Sequence, residues 1–465
     1  MRTTPLVDAA ADVSRVRFGD GRLDRRARSL SRALQARPSE SFPKALADEA
    51  AVEAFYRFMA NDKVEWDAVL GGHVEATHER AVVAGRILAL HDSSLFQFGG
   101  DAVRVGAFRT AKGKSGFLGH TCLAVSADGA RQPLGVLGMI PVVRLDGEAA
   151  ETSPGTVYDC ESDRWIDLVD EVEESVPMAV DIVHVMDSEG DSFDLLEFMV
   201  ADGVDFVVRL CHDRRVVTTD GRARLSDALP QAQTRFTRTV PLSTRKGVKK
   251  SGRHAARDER LANLEVRVLK AGLLRPDGSD AHLAGVHVHI VQVVEVDPPE
   301  GEAPVSWLLA TRLPVDTDEA VADVVDFYRA RWLIEEWFKA LKTGCAYQKR
   351  QLESLGALLV AFALLAPIST RLLALRWLGR NEPERPASDV LDDDEIACLR
   401  VLERQKRRGL PRAPTVGDVL LAVARLGGFL TRNKVPGWQV LGRGFEDLAK
   451  MVAMFRAMQG GGMEM

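Results

Sequence analysis

The chain has 465 residues, of which 46% are hydrophobic and 28% are charged, which is typical of a soluble globular protein with two or three domains. Its formal net charge of −6 excludes a polypeptide that is basic throughout, so any contact with nucleic acid must depend on local clusters of positive charge. No apolar run reaches the roughly 18 residues of a transmembrane helix. We therefore expect no membrane partner.

Neither a secretion signal nor a cysteine-based site is indicated. Asp8 and Asp12 interrupt any apolar core of a signal peptide. The five cysteines are scattered, and none belongs to a C-x-x-C pair. This arrangement indicates a reducing compartment and argues against a zinc site, so we expect a cytoplasmic protein.

The N-terminal region is predicted to be helical and rich in arginine. Residues 22–37 combine an apolar stripe at helical spacing with several arginines. The arginines could bind phosphate groups or could form an ordinary solvated face, and the sequence leaves both readings open. The candidates for DNA contact are Arg25, Arg26 and Arg28. A second helical region is predicted from Phe42 through Phe58, within an all-α domain that ends at about residue 75.

Two predicted strands carry a carboxylate at their ends. Residues 86–94, RILALHDSS, predict a buried strand that ends at Asp92. Residues 119–144 predict two further strands joined by a turn. Residues 181–203 predict a strand, a turn and a helix, with Asp187 at the end of the strand. Carboxyl ends of strands are where α/β sheets present active-site groups, although such an aspartate can also be a simple helix cap.

The next segment, residues 211–304, is predicted to be a β-rich insertion because β-branched residues dominate its apolar runs. Residues 244–260 are strongly basic and include Lys249 and Lys250. We interpret these lysines as contacts to the DNA backbone, with a flexible loop as the alternative. A strand that carries Trp307 follows, and then a helix begins at Asp316 or Thr317.

Residues 328–342, YRARWLIEEWFKALK, are predicted to form one helix with two different faces. At about 100° per residue, one arc of roughly 80° carries a phenol, three cations and one carboxylate. These residues are Tyr328, Arg331, Glu335, Lys339 and Lys342. The opposite face is apolar. A carboxylate among cations suits a metal-dependent phosphodiester site, although a mixed solvated face is the simpler alternative.

The C-terminal part is predicted to be helical. A long apolar helix is expected from Ala357 to Leu378, which we interpret as a buried core helix. Residues 379–394 hold prolines and acids and predict a linker or loop. Two amphipathic helices follow, and their apolar faces suit a partner helix.

Asp92, Asp187 and Glu335 are therefore the candidate catalytic trio. Three carboxylates can hold two hard divalent cations with water completing the shells. Two such ions support in-line phosphoryl transfer.

The spacing Y-x2-R-x3-E-x6-K, from Tyr328 to Lys342, resembles the signature of the bacterial insertion-sequence-four group of DDE transposases. The motifs HDSS around Asp92 and MDSEGD around Asp187 resemble the two aspartate strands of that group, in the same order. The resemblance covers nearly the whole chain.

The resemblance implies an α/β fold, α+β overall. An RNase H-like catalytic domain at 76–375, with its β-rich insertion at about 211–304, would be flanked by small all-α domains. The N-terminal domain, 1–75, would read transposon ends, and the C-terminal domain, 376–465, would dimerise. The chain would act on transposon ends and target DNA as a homodimer, in the bacterial cytoplasm at the nucleoid.

The resemblance also implies a chemistry and a set of residue roles. Cut-and-paste transposition would use two Mg²⁺ or Mn²⁺ ions per site, held by the candidate trio. It would proceed by strand nicking, hairpin formation and opening, and strand transfer. Tyr328, Arg331 and Lys342 would hold phosphates near the scissile bond. Trp307 would stack on a flipped base, with a core tryptophan as the alternative, and Arg209 would contact DNA.

Two departures and two alternatives accompany this hypothesis. Phe338 stands where relatives can carry a polar residue, and the overall acidity does not favour nonspecific DNA binding. A metal-dependent endonuclease on the same fold and a DNA-binding protein that pairs ends without cutting are the alternative functions. A hydrolase unrelated to DNA is disfavoured by the basic segments and the spaced signature.

Overall fold

The computed structural model describes residues 7–46, 48–99, 103–109, 115–242, 258–276, 285–430 and 436–460. Within them the chain forms two compact units. We call the first the terminal unit, because it holds both ends of the sequence; it comprises Met1–Arg164, Asp170–Asp181 and Trp332–Met465. The second, the central unit, comprises Trp165–Val169 and Ile182–Arg331.

The described part of the chain opens with five helices. They are α1 (Ala9–Val13), α2 (Gly21–Ala36), α3 (Phe42–Ala45), α4 (Glu49–Met59) and α5 (Trp66–Ala84). The arginine-rich helix is confirmed as α2, which begins after Asp20, whose carboxylate accepts a hydrogen bond from the Arg22 N–H. The helical region predicted from Phe42 through Phe58 is present as two helices, since α3 ends before Asp48 caps α4. α5 runs past residue 75, where we placed the domain boundary.

The sheet of the terminal unit is antiparallel. Its strands are β1 (Arg86–Phe98), β2 (Phe108–Arg109), β3 (Ser115–Ser126) and β4 (Pro133–Val142). β3 pairs with β1 along its whole length and with β4 and β2 on its other edge. The hairpin predicted for residues 119–144 is therefore confirmed.

The sequence of elements continues with α6 (Glu148–Glu151) and α7 (Arg164–Ser175). The terminal unit also holds the helices after residue 331, which are α11 (Trp332–Lys339), α12 (Leu355–Asn381), α13 (Asp393–Gln405), α14 (Val416–Leu426) and α15 (Trp438–Gly460). A short π-helical turn, Ala340–Gly344, continues α11.

The long apolar helix is confirmed as α12. It packs against α5 and β4, and also against α14. It is long and apolar enough to cross a membrane, with a mean hydropathy of 2.1, but 94% of that stretch is buried inside the protein. This is the burial expected of a core helix, as the sequence predicted.

The central unit contains a mixed sheet. Its strands are β5 (Asp181–Met186), β6 (Phe206–Arg209), β7 (Arg215–Thr218), β8 (Gly221–Arg224), β9 (Gln233–Leu242), β10 (Arg260–Leu273), β11 (Val286–Val296) and β12 (Ser306–Thr311). β5 and β6 are parallel, and the pairs that follow, β6–β12, β12–β11, β11–β10, β10–β7 and β7–β8, are antiparallel, with β9 also on β10. The strands predicted in the β-rich segment are thus present.

Among its described residues this unit has three helices: α8 (Phe193–Ala201), α9 (Leu225–Ala228) and α10 (Asp318–Ala330). A core of aromatic and aliphatic side chains joins α8 to the sheet, including Trp165, Phe193 and Phe206. α10 begins as predicted, because the Thr317 hydroxyl accepts a hydrogen bond from the Ala320 N–H at 3.2 Å.

Two sequence-based expectations are wrong near the candidate residues. Asp92 does not end its strand; it lies in the middle of β1, because β3 continues to pair with residues 93–98. The stretch 328–342 is not one helix, because α10 ends at Ala330 and Arg331 caps it before α11 begins. The regular arc of five polar residues is therefore interrupted at Arg331 and again at the π turn.

Candidate active site

Asp92 occupies the centre of β1, opposite Thr121 of β3. Its side chain is half-buried, and its Oδ1 atom accepts a hydrogen bond from the Ser93 N–H at 2.8 Å. Leu88 and Leu90, which precede Asp92 on the same face of β1, are fully buried. The apolar first half of β1 thus anchors the strand, and the short polar stretch at residues 92–94 presents the carboxylate.

Glu335 lies on α11, in the same unit as Asp92. The apolar face predicted for this segment is confirmed, since Ile334, Trp337 and Phe338 are buried. Phe338 packs edge-on against Phe96 of β1 with ring centroids 6.1 Å apart. Phe338 is therefore a packing residue, and Glu335 stays half-buried beside that face.

Two further contacts fix α11 on α12. The Trp337 indole N–H donates to the Thr370 hydroxyl at 3.0 Å. The Glu336 carboxylate lies 3.7 Å from both the Arg376 and Arg380 guanidinium groups. Glu336 is thus a structural acid, in contrast to its neighbour Glu335.

Lys342 projects from the π turn toward β1. Its Nζ atom donates to the Ser94 hydroxyl at 2.6 Å and to the Leu95 carbonyl at 3.1 Å. It also lies 5.1 Å from the centre of the Phe96 ring. Burial lowers the pKa of Lys342 to about 8, against the opposing influence of the Asp92 charge. The ammonium group therefore contacts the strand that carries Asp92.

Lys339 is arranged differently from Lys342. It is exposed, and its Nζ atom lies 4.4 Å above the ring of Trp332, which is itself 52% exposed. This cation is available at the surface of α11.

Asp187 follows β5 directly, as predicted, and belongs to the central unit. It caps a short 3-10 helix, Ser188–Gly190, because its Oδ1 atom accepts from the Glu189 N–H at 2.8 Å. Gly190 allows this tight turn, since a Cβ there would lie 3.0 Å from the Met186 Cβ. The carboxylate is half-buried, so cap and candidate ligand are compatible roles.

Arg209, Trp307 and Tyr328 come together in the central unit. Arg209 lies opposite Leu309 in the β6–β12 pair, and Trp307 is two residues from Leu309, so both side chains project to the same face of the sheet. Tyr328 is only 6% exposed and packs edge-on against Trp307, with ring centroids 5.4 Å apart. The prediction that Tyr328 lies on an open, charged helix face is therefore wrong, because its ring is buried against the indole of Trp307. Arg331 is half-buried, caps the C-terminus of α10 and is the last residue of the central unit.

The remaining candidates for DNA contact lie in two places. Arg25 is exposed on α2, and Arg26 and Arg28 are half-buried there, while Ala27, Leu30 and Leu34 form the buried face. Lys249 and Lys250 lie outside the described residues.

A group of potential metal ligands that the sequence did not single out is Asp191, Cys211 and His212. The Asp191 carboxylate accepts the backbone N–H groups of Cys211 and His212 at 2.7 and 2.9 Å, and the Arg214 Nε–H at 3.0 Å. Its oxygens are therefore committed to ordering the turn after β6. We interpret Asp191 as a structural acid rather than a metal ligand.

The structure thus divides the candidate residues between its two units. The terminal unit holds Asp92, Glu335 and Lys342, and the central unit holds Asp187 with the Arg209, Trp307 and Tyr328 group. All three carboxylates are partly exposed. They are oxygen donors of the kind that hard divalent ions prefer, so the donor set fits such ions.

Two family models match this chain. A transposase DNA-binding model matches residues 9–64, and a transposase DDE domain model matches residues 145–369. The chain is a DDE-type DNA transposase. The DNA-binding match covers α1 to α4, including the arginines of α2, and the DDE match covers Asp187 and Glu335. Asp92 lies between the two matched regions.

The identification bears on the fold and on the partner. The mixed α/β architecture together with the DDE domain confirms the predicted RNase H-like class. The DNA-binding domain establishes DNA as a partner of the transposase. Transposases of this family normally use divalent metal ions.

Proposed function

We propose that the transposase belongs to the insertion-sequence-four group, resembles the transposase of transposon Tn-five, and carries out cut-and-paste transposition. The observation that carries this proposal is the co-occurrence of both family matches with the spaced Tyr328-to-Lys342 motif. The packing of α11 on β1 supports it, since Phe338 on Phe96 keeps Glu335 in the same unit as Asp92.

We assign Asp92, Asp187 and Glu335 as the catalytic carboxylates and as the residues that would hold two Mg²⁺ or Mn²⁺ ions. When bound, such ions increase the nucleophilicity of an attacking oxygen and stabilise the charge on the leaving oxygen. The half-buried setting of Asp92 supports the assignment, because a carboxylate that is shielded on one side loses less orientation freedom on binding.

The proposed reaction has four phosphoryl-transfer steps. Water attacks a phosphodiester at the transposon end, which breaks one P–O bond and frees a 3′-hydroxyl. That hydroxyl attacks the opposite strand, so that one phosphodiester forms as another breaks, and a hairpin results. Water reopens the hairpin, and the freed 3′ end then attacks target DNA. Each step exchanges one P–O bond for another, so no oxidant or energy source is required.

The cationic and aromatic residues would position the DNA. Tyr328, Arg331 and Lys342 would hold phosphates near the scissile bond, with Lys339 at the exposed surface of α11. Trp307, with Arg209 on the same sheet face, would accept a base extruded from the strained hairpin, since an indole face stacks on any base. The partly exposed state of Trp307 supports this role.

The proposed division of labour follows the sequence-based domains. Residues 1–75, with Arg25, Arg26 and Arg28, would bind transposon ends, residues 76–375 would carry the chemistry, and residues 376–465 would dimerise. The active species would be a homodimer that pairs two ends and captures target DNA. It would act at the nucleoid in the bacterial cytoplasm.

The test is cleavage of a DNA fragment that ends in the element's own terminal repeats, with Mg²⁺, by wild type and Glu335→Gln. We expect nicked, hairpinned and strand-transferred products from wild type, and retained binding without products from Glu335→Gln. Glu336→Gln is the matched control, because this neighbouring acid pairs with Arg376 and Arg380, and it should retain cleavage.

Three outcomes would contradict the proposal or part of it. Nicking by wild type without hairpins or joined products would favour the endonuclease alternative. Binding of the ends without any cleavage would favour a protein that pairs ends only. Equal losses of cleavage in Glu335→Gln and Glu336→Gln would remove Glu335 from the catalytic set.

A further inference from the structure

Ser93 immediately follows Asp92 on β1, and its side chain points to the opposite face of the strand. Its hydroxyl is held by two groups from distant segments. The Oγ atom lies 2.9 Å from His120 Nδ1, on the facing strand β3, and 3.3 Å from Arg164 Nε, at the start of α7. The residue next to the first catalytic aspartate is therefore fixed by a three-residue chain of hydrogen bonds.

The direction of one of these hydrogen bonds follows from the chemistry of the groups. A guanidinium group can only donate, so Ser93 Oγ accepts from Arg164. A hydroxyl carries one proton and two lone pairs, so Ser93 Oγ can also form the hydrogen bond with His120 Nδ1 in either tautomer of the ring. His120 is fully buried, and this burial, with the nearby Arg164 charge, holds its pKa well below the usual value. Ser93 is thus held between the guanidinium group of Arg164 and the neutral imidazole ring of His120.

Both hydrogen-bond partners of Ser93 are themselves held in place by other contacts. Arg164 is 8% exposed, and its guanidinium also donates to the Glu161 carbonyl. His120 is directly opposite Ser93 in the β1–β3 register, and its ring lies 5.8 Å from that of His91. Neither partner of Ser93 can shift without disturbing a buried element.

The other face of β1 is fixed one residue later. The Ser94 hydroxyl accepts a hydrogen bond from the Lys342 Nζ atom at 2.6 Å. Ser94 and Asp92 project from the same face of β1. Consecutive residues after Asp92 are therefore held from opposite sides of the strand. This restrains the rotation of β1 about its axis, and with it the direction of the Asp92 carboxylate.

We propose that Ser93, His120 and Arg164 are positioning residues that orient Asp92 for metal binding. The proposal rests on the proposed function, because it takes Asp92 to be a metal ligand. Residues that orient metal ligands typically cost about 10–100-fold in metal affinity or activity when they are mutated. A role in stability alone would not change metal dependence in this way.

The experiment measures Mn²⁺ binding to the full-length protein on end DNA by electron paramagnetic resonance, together with the Mg²⁺ dependence of cleavage. For Ser93→Ala we expect about tenfold weaker Mn²⁺ binding and a similarly raised half-saturating Mg²⁺ concentration. The KM for end DNA should stay unchanged. Ser93→Thr keeps the hydroxyl and should restore metal binding.

The matched control is Ser126→Ala. Ser126 is another serine on the β1–β3 ladder, but it lies opposite Ile87, and its hydroxyl donates to Asp128 at 2.5 Å. This variant should bind Mn²⁺ like wild type. Arg164→Lys is a second test, because an ammonium group cannot hold Ser93 and Glu161 with the fork geometry of a guanidinium, and it should also weaken Mn²⁺ binding.

The possible failures are distinguishable. Wild-type Mn²⁺ binding and Mg²⁺ dependence in both Ser93→Ala and Arg164→Lys would overturn the positioning role while leaving the proposed function intact. Unaltered Mn²⁺ binding in Asp92→Ala, with no cleavage by wild type, would instead overturn the proposed function itself.

Discussion

The Nζ atom of Lys342 lies 2.6 Å from the Oγ atom of Ser94, two residues along β1 from Asp92. This contact joins the last residue of the spaced motif to the strand that carries Asp92, the first of the proposed catalytic carboxylates. Because Lys342 sits on the π turn after α11, its position also reports how α11 is seated on β1. A lysine that we had assigned only to phosphate binding is therefore also a packing residue in the free protein.

This burial makes the stability of the protein depend on pH. The folded pKa of Lys342 is lowered to about 8 from its ordinary 10.5, so between these values the unfolded chain binds more protons than the folded one. Stability contributed by this group therefore rises with pH through that window. Between pH 7.5 and 9.5 the rise should be on the order of 1–2 kcal/mol, and Lys342→Met should lack it.

The measurement is urea unfolding of DNA-free and metal-free protein at both pH values, comparing wild type with Lys342→Met. Lys339→Met is the matched control, because Lys339 is exposed on the adjoining helix, and it should keep the wild-type pH dependence. A wild-type pH dependence in Lys342→Met would contradict the assignment.

A buried ionic network ties the matched DNA-binding region, through Asp12, to α5 and to strand β4 within the terminal unit. Asp12 Oδ2 lies 2.7 Å from His73 Nδ1, and Arg80 donates to both Asp12 oxygens at 3.2 and 3.1 Å. Arg80 also donates to the Leu134 carbonyl, and the Val136 N–H donates to His73 Nε2. Asp12 is 4% exposed, so its removal would leave buried groups unpaired.

We expect Asp12→Ala to destabilise the protein by about 3–5 kcal/mol, the usual cost of breaking a buried pair. Glu79→Ala removes an exposed partner of Arg15, which lies 2.7 Å away just after α1, and should cost less than about 1 kcal/mol. Urea unfolding at neutral pH compares the two. Similar losses in both variants would show that the network carries no special stability.

The same network predicts acid sensitivity. Burial raises the pKa of Asp12, but the hydrogen bond from His73 and the charge and hydrogen bonds of Arg80 outweigh it, so the pKa lies below its ordinary value of 3.8. The stability from Asp12 is therefore complete above pH 3.8 and is lost as the pH falls through the lower, folded value. Below pH 4, the free energy of unfolding should therefore fall more steeply with decreasing pH in wild type than in Asp12→Asn, as measured by urea unfolding at a series of pH values.

Arg25 is the exposed arginine of the predicted end-binding set. We expect Arg25→Ala to weaken binding to end DNA and to reduce the slope of log K against log salt by about 0.9, the value for one phosphate contact. Arg57→Ala is the control, since this exposed arginine on α4 already pairs with Glu53 at 3.7 Å. A salt titration that gives both variants the wild-type slope would remove Arg25 from the DNA interface.

Substitution of Trp307 tests its proposed role in stacking on an extruded base. Loss of one stacked base costs about 1–3 kcal/mol, so Trp307→Ala should reduce hairpin formation about tenfold while the first nick proceeds at the wild-type rate. Trp332→Ala, at a more exposed tryptophan of α11, should leave both rates unchanged. Single-turnover cleavage with end-labelled DNA separates the steps, and an equal loss in nicking and hairpin formation would indicate that Trp307 only supports the fold.

The helices and strands were largely predictable, because local spacing encodes them. The arginine-rich helix, the β3–β4 hairpin and the turn after Asp187 all follow from periodicity and capping residues. The position of Asp92 within β1 did not, since the length of that strand depends on its pairing with β3, which is distant in sequence.

The segment 328–342 shows the same limit. A regular periodicity of about 100° per residue assumes an unbroken helix, but Arg331 ends α10 and the π turn changes the register before Lys342. Tyr328 and Lys342 therefore make contacts in different units, with Trp307 and Ser94 respectively.

The sequence by itself determined the class of elements, their order, and the spaced carboxylates and cations that indicate a DDE transposase, because these features depend on residues close together along the chain. Only the tertiary structure decided which side chains meet. Ser93, His120 and Arg164 come from three separate segments, as do Asp12, His73 and Leu134. Such hydrogen bonds form only when strand register and helix packing bring residues that are distant in sequence within about 3 Å of each other. The spacing of residues along the sequence does not specify these contacts.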